Sequence, residues 1–142
     1  MTAPLPNKSH DVAVVGGGIV GLACAWYAAR RGMSVVVLER DDLGAGASQV
    51  AAGMLAPVTE ADFGEDELLE LNLAAAEAWP QFADEVMAAS GLSSGFRETG
   101  ALVVAADRDD AEELHRLAEL HAALGLPSRW IGPRDCRALE PG

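Results

Sequence analysis

One stretch near the N-terminus, VAVVGGGIVGLACAWYAARRGMSVVVLER over residues 12–40, most constrains what this chain can fold into. Residues 11–15 and 34–39 are short apolar runs without polar alternation, which is typical of strands buried on both faces. Residues 18–31 between them are rich in small side chains and are followed by Gly32, which predicts a helix with a glycine at its C-terminal end. Two strands around a crossover helix predict a βαβ unit with parallel, right-handed pairing.

The glycines after the first strand form the pattern G-x-G-x-x-G with Gly16, Gly18 and Gly21. Gly16 permits the tight turn, Gly18 lets a pyrophosphate approach the backbone, and Gly21 lets the helix pack close to the sheet. Free N–H groups near Gly18, Ile19 and Val20 would then face two phosphates at the positive end of the helix dipole. The pattern follows a predicted strand and opens a predicted helix, which is the context that a dinucleotide site requires.

A carboxylate stands where such a site would use one, because Glu39 ends the second strand 18 residues after Gly21. It can accept both hydroxyls of a ribose and would repel a 2′-phosphate, which disfavours NADP. The ligand predicted from the residues is therefore FAD or NAD. Arg40 lies next to this carboxylate, either near the adenine edge or as a free surface side chain.

The composition excludes several classes of partner and site. The formal net charge of −12 argues against nucleic acid and against an anionic membrane surface. The first ten residues lack the apolar core of a signal peptide, and no apolar run is long enough for a membrane span, so we expect a cytoplasmic protein. Cys24 and Cys136 have no metal-ligand spacing, and we expect Cys24 to be a small core residue. His115 and His121 do not share a helix face as a metal pair would.

The remaining chain reads as alternating helices and strands. Apolar residues recur at helical spacing over residues 65–90, and Pro80 should kink or split that helix. Residues 96–106 have the composition of a strand. Asp109 and Glu112 stand three apart, which predicts a capping box at the start of the next helix.

A segment of small residues, GAGASQVAAGMLAP at 44–57, takes the place of a further strand–helix unit. Together with the N-terminal stretch, with WPQF at 79–82 and with TGALVVA at 99–105, it resembles the D-amino-acid oxidase family of FAD-dependent oxidoreductases. Within that family, AAGMLAP at 51–57 is most similar to the glycine oxidases. The resemblance selects FAD over NAD.

The resemblance also implies roles for individual residues. Ile19 and Val20 would contact the phosphates and Glu39 the ribose, with Arg40 adjacent. Further along the chain, Ala47 and Ser48 would contact the phosphate–ribityl part. Ala52, Gly53 and Met54 would contact the flavin ring. Met54 would also border the substrate side. No side chain of the chain need act as a catalytic acid or base, and the substrate carboxylate would be anchored by sequence beyond Gly142.

The activity implied is oxidative deamination of a small, glycine-like amino acid to an imine and then glyoxylate, with release of hydrogen peroxide, in support of thiamine synthesis. Another D-amino-acid or sarcosine oxidase or dehydrogenase, or a non-catalytic dinucleotide-binding fragment, remains an alternative. The implied fold is α/β: a Rossmann-like, FAD-binding βαβ start, followed by the beginning of an α+β substrate domain.

The expected organisation has a flexible tail at residues 1–10, an FAD-binding part at 11–90 and a truncated start of the substrate domain at 91–142. This predicts the N-terminal part of a longer oxidase that is inactive and unstable by itself, whereas the complete enzyme could form a homo-oligomer.

Overall fold

The structure, a computed structural model, describes residues 9–141. The chain forms two compact units, Met1–Gly53 and Met54–Gly142. The expected N-terminal tail lies outside the described residues except for Ser9 and His10. The expected division at residue 90 concerns the roles of the two parts, and it stays a prediction.

The first unit contains the predicted βαβ arrangement. Strand β1 spans Val12–Val15, helix α1 spans Ile19–Arg30 and strand β2 spans Val35–Leu38. The two strands pair in parallel, with Val12 opposite Val35 and Val15 opposite Leu38. The unit confirms the α/β fold class and places the carboxyl ends of both strands at one edge, next to the start of α1.

Strand β1 is covered on one face rather than on both, so the expectation that β1 is buried on both faces is wrong, whereas Val35, Val36 and Val37 of β2 are all half-buried. Val12 and Val14 are half-buried, whereas Ala13 and Val15 are exposed, and 85% of Val15 is accessible. Because successive strand residues point to opposite faces, this alternation marks a single covered face. Helix α1 packs against both strands and provides that cover.

Helix α1 ends as the sequence predicts, but its buried residue is not the expected one. Gly32 has φ 81° and donates its N–H to the carbonyl oxygen of Ala29 at 2.9 Å. Ala25 is the buried residue of the helix, whereas Cys24 is exposed, which corrects the expectation of a core cysteine. Adjacent helical residues differ by about 100° around the axis, so burial of Ala25 turns Cys24 off the covered face.

Helix α2, Ala47–Val50, closes the first unit, and helix α3, Asp66–Ser90, opens the helical part of the second. Pro80 lies inside α3, which nevertheless continues as one helix of 25 residues, so it is not split. Proline removes one intrahelical donor, and the turns on either side keep theirs. Leu69 and Ala83 are the buried residues of α3.

The segment 96–106 is not a strand, which corrects the sequence-based prediction. The sheet in the described part of the chain contains β1 and β2, and residues 96–105 are not hydrogen-bonded into it. Leu102, Val103 and Val104 are exposed by 41%, 53% and 64%. A strand requires a paired neighbour as well as a suitable composition, and this apolar segment has no such neighbour among residues 9–141.

Helix α4, Arg108–Ala123, starts earlier than predicted and is capped by other residues. Asp107 is the N-cap, and its carboxylate accepts the N–H of Asp110 at 2.9 Å. The carboxylate of Asp110 accepts the N–H of Ala106 at 2.9 Å. The predicted capping box of Asp109 and Glu112 is therefore wrong, because an acidic residue two positions earlier has the extended backbone that a cap needs.

The connection after α4 is held by two histidines of that helix. His115 stacks on Trp130 with ring centroids 3.9 Å apart and planes inclined by 15°. His121 is buried, and its Nδ1 lies 3.2 Å from the hydroxyl of Ser128. Helix α5, Pro133–Leu139, follows. Both histidines thus have packing roles.

Two kinds of feature are not found among residues 9–141. None of the helices there combines the length and the apolar character that crossing a membrane requires. The same residues contain no cluster of three histidine, cysteine or acidic side chains suited to a metal ion.

Candidate functional site

The turn between β1 and α1 has a geometry that only glycine permits. Gly16 has φ 104°, and its N–H donates to the carbonyl oxygen of Leu38 at 2.8 Å, which ties the turn to β2. A Cβ on Gly21 would overlap the carbonyl oxygen of Gly16 and lie 3.2 Å from a methyl of Val14. Gly16 and Gly21 therefore allow α1 to start directly against the end of β1, as the glycine pattern predicts.

The first turn of α1 presents backbone N–H groups without partners. Gly18 is the N-cap and has no side chain to cap the helix, and the first turn contains no acidic residue. Within residues 9–141 no acceptor binds the N–H of Gly18 or of Val20. These donors lie at the positive end of the helix dipole, so this terminus is suited to a phosphate.

Ser48 reaches the same helix start from a position 29 residues further along the chain. Its hydroxyl oxygen accepts the N–H of Ile19 at 2.9 Å, and a Cβ on Gly18 would lie 3.3 Å from that oxygen. The hydroxyl retains its own proton, so it can donate to an anion bound beside the helix. Ile19 and Ser48 thus lie together at the start of α1. The sequence-based prediction gave Ile19 a contact with the phosphates and Ser48 a contact with the phosphate–ribityl part.

Glu39 binds the backbone on both sides of the site. Its Oε2 accepts the N–H of Gly17 at 2.6 Å, and its Oε1 accepts the N–H groups of Arg40 at 2.7 Å and Asp41 at 3.1 Å. The bond from Gly17, followed by those from Asp41 and Arg40, lowers the pKa of this carboxyl below its usual value. A carboxylate has roughly four acceptor positions, so about one remains open, on Oε2.

Gly17 is a residue of the glycine turn that sequence reasoning did not assign to the site. Its N–H bonds to Glu39, and its carbonyl oxygen accepts the N–H of Gly44 at 2.8 Å. It is buried, and a Cβ there would lie 2.5 Å from Cδ2 of Leu43. The signal was present as a run of three glycines, but Gly17, the middle one, fills an unspecified position of the G-x-G-x-x-G pattern.

An open cleft of about 350 Å³ adjoins the glycine turn at the carboxyl ends of the two strands. In open α/β sheets, ligands bind at this edge. Arg40 lines it and forms an exposed ion pair with Asp41, with Nε 3.3 Å from Oδ2. The cleft is lined by Val15, Gly16, Leu38, Glu39, Arg40, Asp41, Ala45 and Gly46, of which Val15, Leu38, Asp41, Ala45 and Gly46 were not predicted as site residues.

Ala52 and Gly53, two of the residues expected at the flavin ring, are not among the residues that line this cleft. Ala47 and Ser48 open α2, whereas Ala52, Gly53 and Met54 follow α2 without regular structure. Gly53 ends the first unit with φ 78°, and Met54, 72% exposed, begins the second. No hydrogen bond in the described structure joins Ala52 or Gly53 to the glycine turn.

These residues fit the adenylate half of a dinucleotide. The free N–H groups at the start of α1 suit a pyrophosphate, and the absence of side chains at Gly16 and Gly18 leaves room for it. The open acceptor position on Glu39 suits a ribose hydroxyl. The geometry of this unit accommodates FAD and NAD alike.

Comparison with known proteins distinguishes between FAD and NAD at the level of the family. Residues 11–142 match the family model DAO, described as FAD dependent oxidoreductase. Glycine oxidase of Geobacillus kaustophilus is 32% identical over 132 residues, which cover 93% of this chain and 35% of that protein. Mitochondrial sarcosine dehydrogenase of Homo sapiens is 33% identical over 139 residues, which cover 97% of this chain and 14% of that protein.

The solved structures include a similar fold. The crystal structure of glycine oxidase from Geobacillus kaustophilus matches with a TM-score of 0.88 and 32% identity, over 93% of this chain and 35% of that chain. This chain therefore spans about a third of the length of the glycine oxidase that it resembles.

Proposed function

Because the chain belongs to the DAO family of FAD-dependent oxidoreductases, we propose that FAD is its cofactor and that the first unit holds the adenylate part. The observation that carries this proposal is the combination of unpartnered N–H groups at the start of α1 with Glu39 at the end of β2. The backbone of Gly18 and Val20 would bind the pyrophosphate, and Ser48 would donate its hydroxyl proton to it. Glu39 would accept a ribose hydroxyl.

The remaining cofactor contacts are proposed from the family resemblance. The proposed set at the glycine turn and the end of β2 comprises Gly16, Gly18, Ile19, Val20, Gly21, Glu39 and Arg40. Ala47 and Ser48 would continue it along the phosphate–ribityl part, and Ala52, Gly53 and Met54 would border the flavin ring.

The proposed reaction is oxidation of a small amino acid, with glycine as the first candidate substrate. FAD, when bound, supplies two-electron oxidation of an amine beside a carboxylate, with dioxygen reduced to hydrogen peroxide. This chain's residues would bind and orient the cofactor. The support for glycine is the similarity to glycine oxidase over 93% of this chain, together with AAGMLAP at residues 51–57. A supply of glyoxylate imine for thiamine synthesis belongs to the same proposal.

A second candidate is a dehydrogenase that acts on a secondary amine such as sarcosine. It is supported by the sarcosine dehydrogenase that matches over 97% of this chain at a similar identity. The two candidates differ in the substrate and in the electron acceptor, and both would use the same adenylate site.

Binding is tested by titrating the purified chain with FAD, FMN and NAD and following flavin fluorescence or calorimetry. The proposal expects FAD to bind at least tenfold more tightly than FMN, which lacks the adenylate. Preference for NAD with no binding of FAD would reject the flavin assignment.

The reaction is tested by supplying glycine, sarcosine and D-alanine to the intact protein that carries this chain. Peroxide formation with glycine supports the oxidase, and reduction of a dye acceptor by sarcosine without peroxide supports the dehydrogenase. If no substrate gives either signal while FAD is bound, the non-catalytic reading is favoured. We propose that the 142-residue chain alone gives no turnover.

A further inference from the structure

The Glu39 carboxylate is hydrogen-bonded to the glycine turn. Gly17 donates to its Oε2 at 2.6 Å across 22 positions of the chain, and Arg40 and Asp41 donate to its Oε1. The carbonyl oxygen of Gly17 is held at the same time by Gly44. The segment that follows β2 therefore fixes Gly17 through both of its backbone polar groups.

The position of Gly17 sets the direction of its neighbours' N–H groups. Gly18 follows it directly as the N-cap of α1, so a rotation of the peptide at Gly17 would reorient the Gly18 N–H. That N–H has no acceptor among residues 9–141, and it is one of the donors available to a phosphate. A side chain that restrains Gly17 thus acts on phosphate binding without touching the phosphate.

We propose that Glu39 is a positioning residue for the glycine turn, in addition to accepting a ribose hydroxyl. Its contacts with Gly17, Arg40 and Asp41 hold the turn in the shape that presents Gly18 and Val20 to the pyrophosphate. The part of this inference that concerns phosphate binding rests on the proposed function, whereas the part that concerns the hydrogen bonds of the turn does not.

Glutamine at position 39 separates the two roles. Its amide has one oxygen that can accept hydrogen bonds. The NH₂ group on the other side is a donor, so it cannot accept a backbone N–H. Glu39→Gln can therefore bond either Gly17 or the pair Arg40 and Asp41, but not both. Asp42→Asn is the matched control, since it removes the same charge three residues away and the Asp42 side chain makes no hydrogen bond in the described structure.

The ligand-free test is NMR of the full chain. In the unsubstituted protein, the Gly17 amide proton should resonate downfield and move upfield on acidification, with the midpoint of the Glu39 carboxyl. In Glu39→Gln it should cease to titrate with that midpoint, because an amide at position 39 does not ionise. A Gly17 resonance that ignores the titration of Glu39 in the unsubstituted protein would overturn the inference, and this measurement needs no variant to fold.

The ligand test compares ADP with 2′,3′-dideoxy-ADP, which has phosphates but no ribose diol. Positioning predicts that Glu39→Gln weakens binding of the dideoxy compound at least fivefold relative to Asp42→Asn. Unchanged affinity for the dideoxy compound would overturn it and leave only the ribose contact. If the unsubstituted chain binds neither FAD nor ADP, the proposed function fails, and the NMR titration still decides the inference.

Discussion

Replacing Gly21 with alanine tests the close approach of α1 to the end of β1. The added Cβ would overlap the carbonyl oxygen of Gly16 and crowd Val14. Because the obstacle is backbone rather than the end of a flexible side chain, the helix or the turn must move. Overpacking of this kind costs about 1–3 kcal/mol, and we place this contact at about 3.

Alanine also has a higher helix propensity than glycine, which offsets about 1 kcal/mol of that cost at position 21. The net expectation for Gly21→Ala is a free energy of unfolding lower by about 2 kcal/mol. For a chain of this size, that corresponds to a melting temperature lower by about 4–8 °C. Affinity for FAD should fall as well, because the displaced turn carries the phosphate donors.

The assay is urea unfolding followed by circular dichroism, with Gly132→Ala as the matched control. Gly132 has φ −79°, and a Cβ there meets nothing within 4 Å, so its replacement should change stability by less than about 1 kcal/mol. If Gly21→Ala unfolds at the same urea concentration as the unsubstituted chain, the close contact between α1 and the turn is not what requires glycine.

Three further predictions concern capping and charge. Ser48→Ala removes the acceptor of the Ile19 N–H, so urea unfolding should show a loss of about 1 kcal/mol. Asp107→Ala should lower stability by about 1 kcal/mol in the same assay, whereas Asp109→Ala, outside the cap, should cost less than half of that. The pKa of Glu39 is lower in the folded state, so the contribution of its carboxylate to stability is present above pH 4.5 and is lost as the pH falls through the folded pKa. Glu39→Gln should therefore make the melting temperature less dependent on pH in this acid range.

The local parts of the fold could be predicted from the sequence, because short-range rules determine them. The unbroken apolar runs, the small-residue helix and Gly32 predict the elements of the βαβ unit to within a residue or two. The prediction of a strand at residues 96–106 was wrong because a strand-like composition shows only that a segment can pair. Whether it does pair depends on another part of the chain. The predicted N-cap of α4 was wrong because several nearby acidic residues satisfy the same short pattern.

The candidate site was likewise predictable only in its local parts. The roles of Gly16 and Gly21 follow from the spacing of the glycine pattern, since each reflects a local steric requirement. The bonds from Gly17 to Glu39 and from Ile19 to Ser48 join residues 22 and 29 positions apart. No periodicity encodes such contacts, because they depend on how the segment after β2 folds back over the turn.

The central claim, an adenylate site for FAD at the glycine turn, is tested most directly by calorimetric titration of the chain with FAD and with FMN. The account predicts that FAD binds at least tenfold more tightly, and that Gly21→Ala removes this preference while Gly132→Ala keeps it. Equal affinities for FAD and FMN, or a preference for FAD that survives in Gly21→Ala, would contradict it.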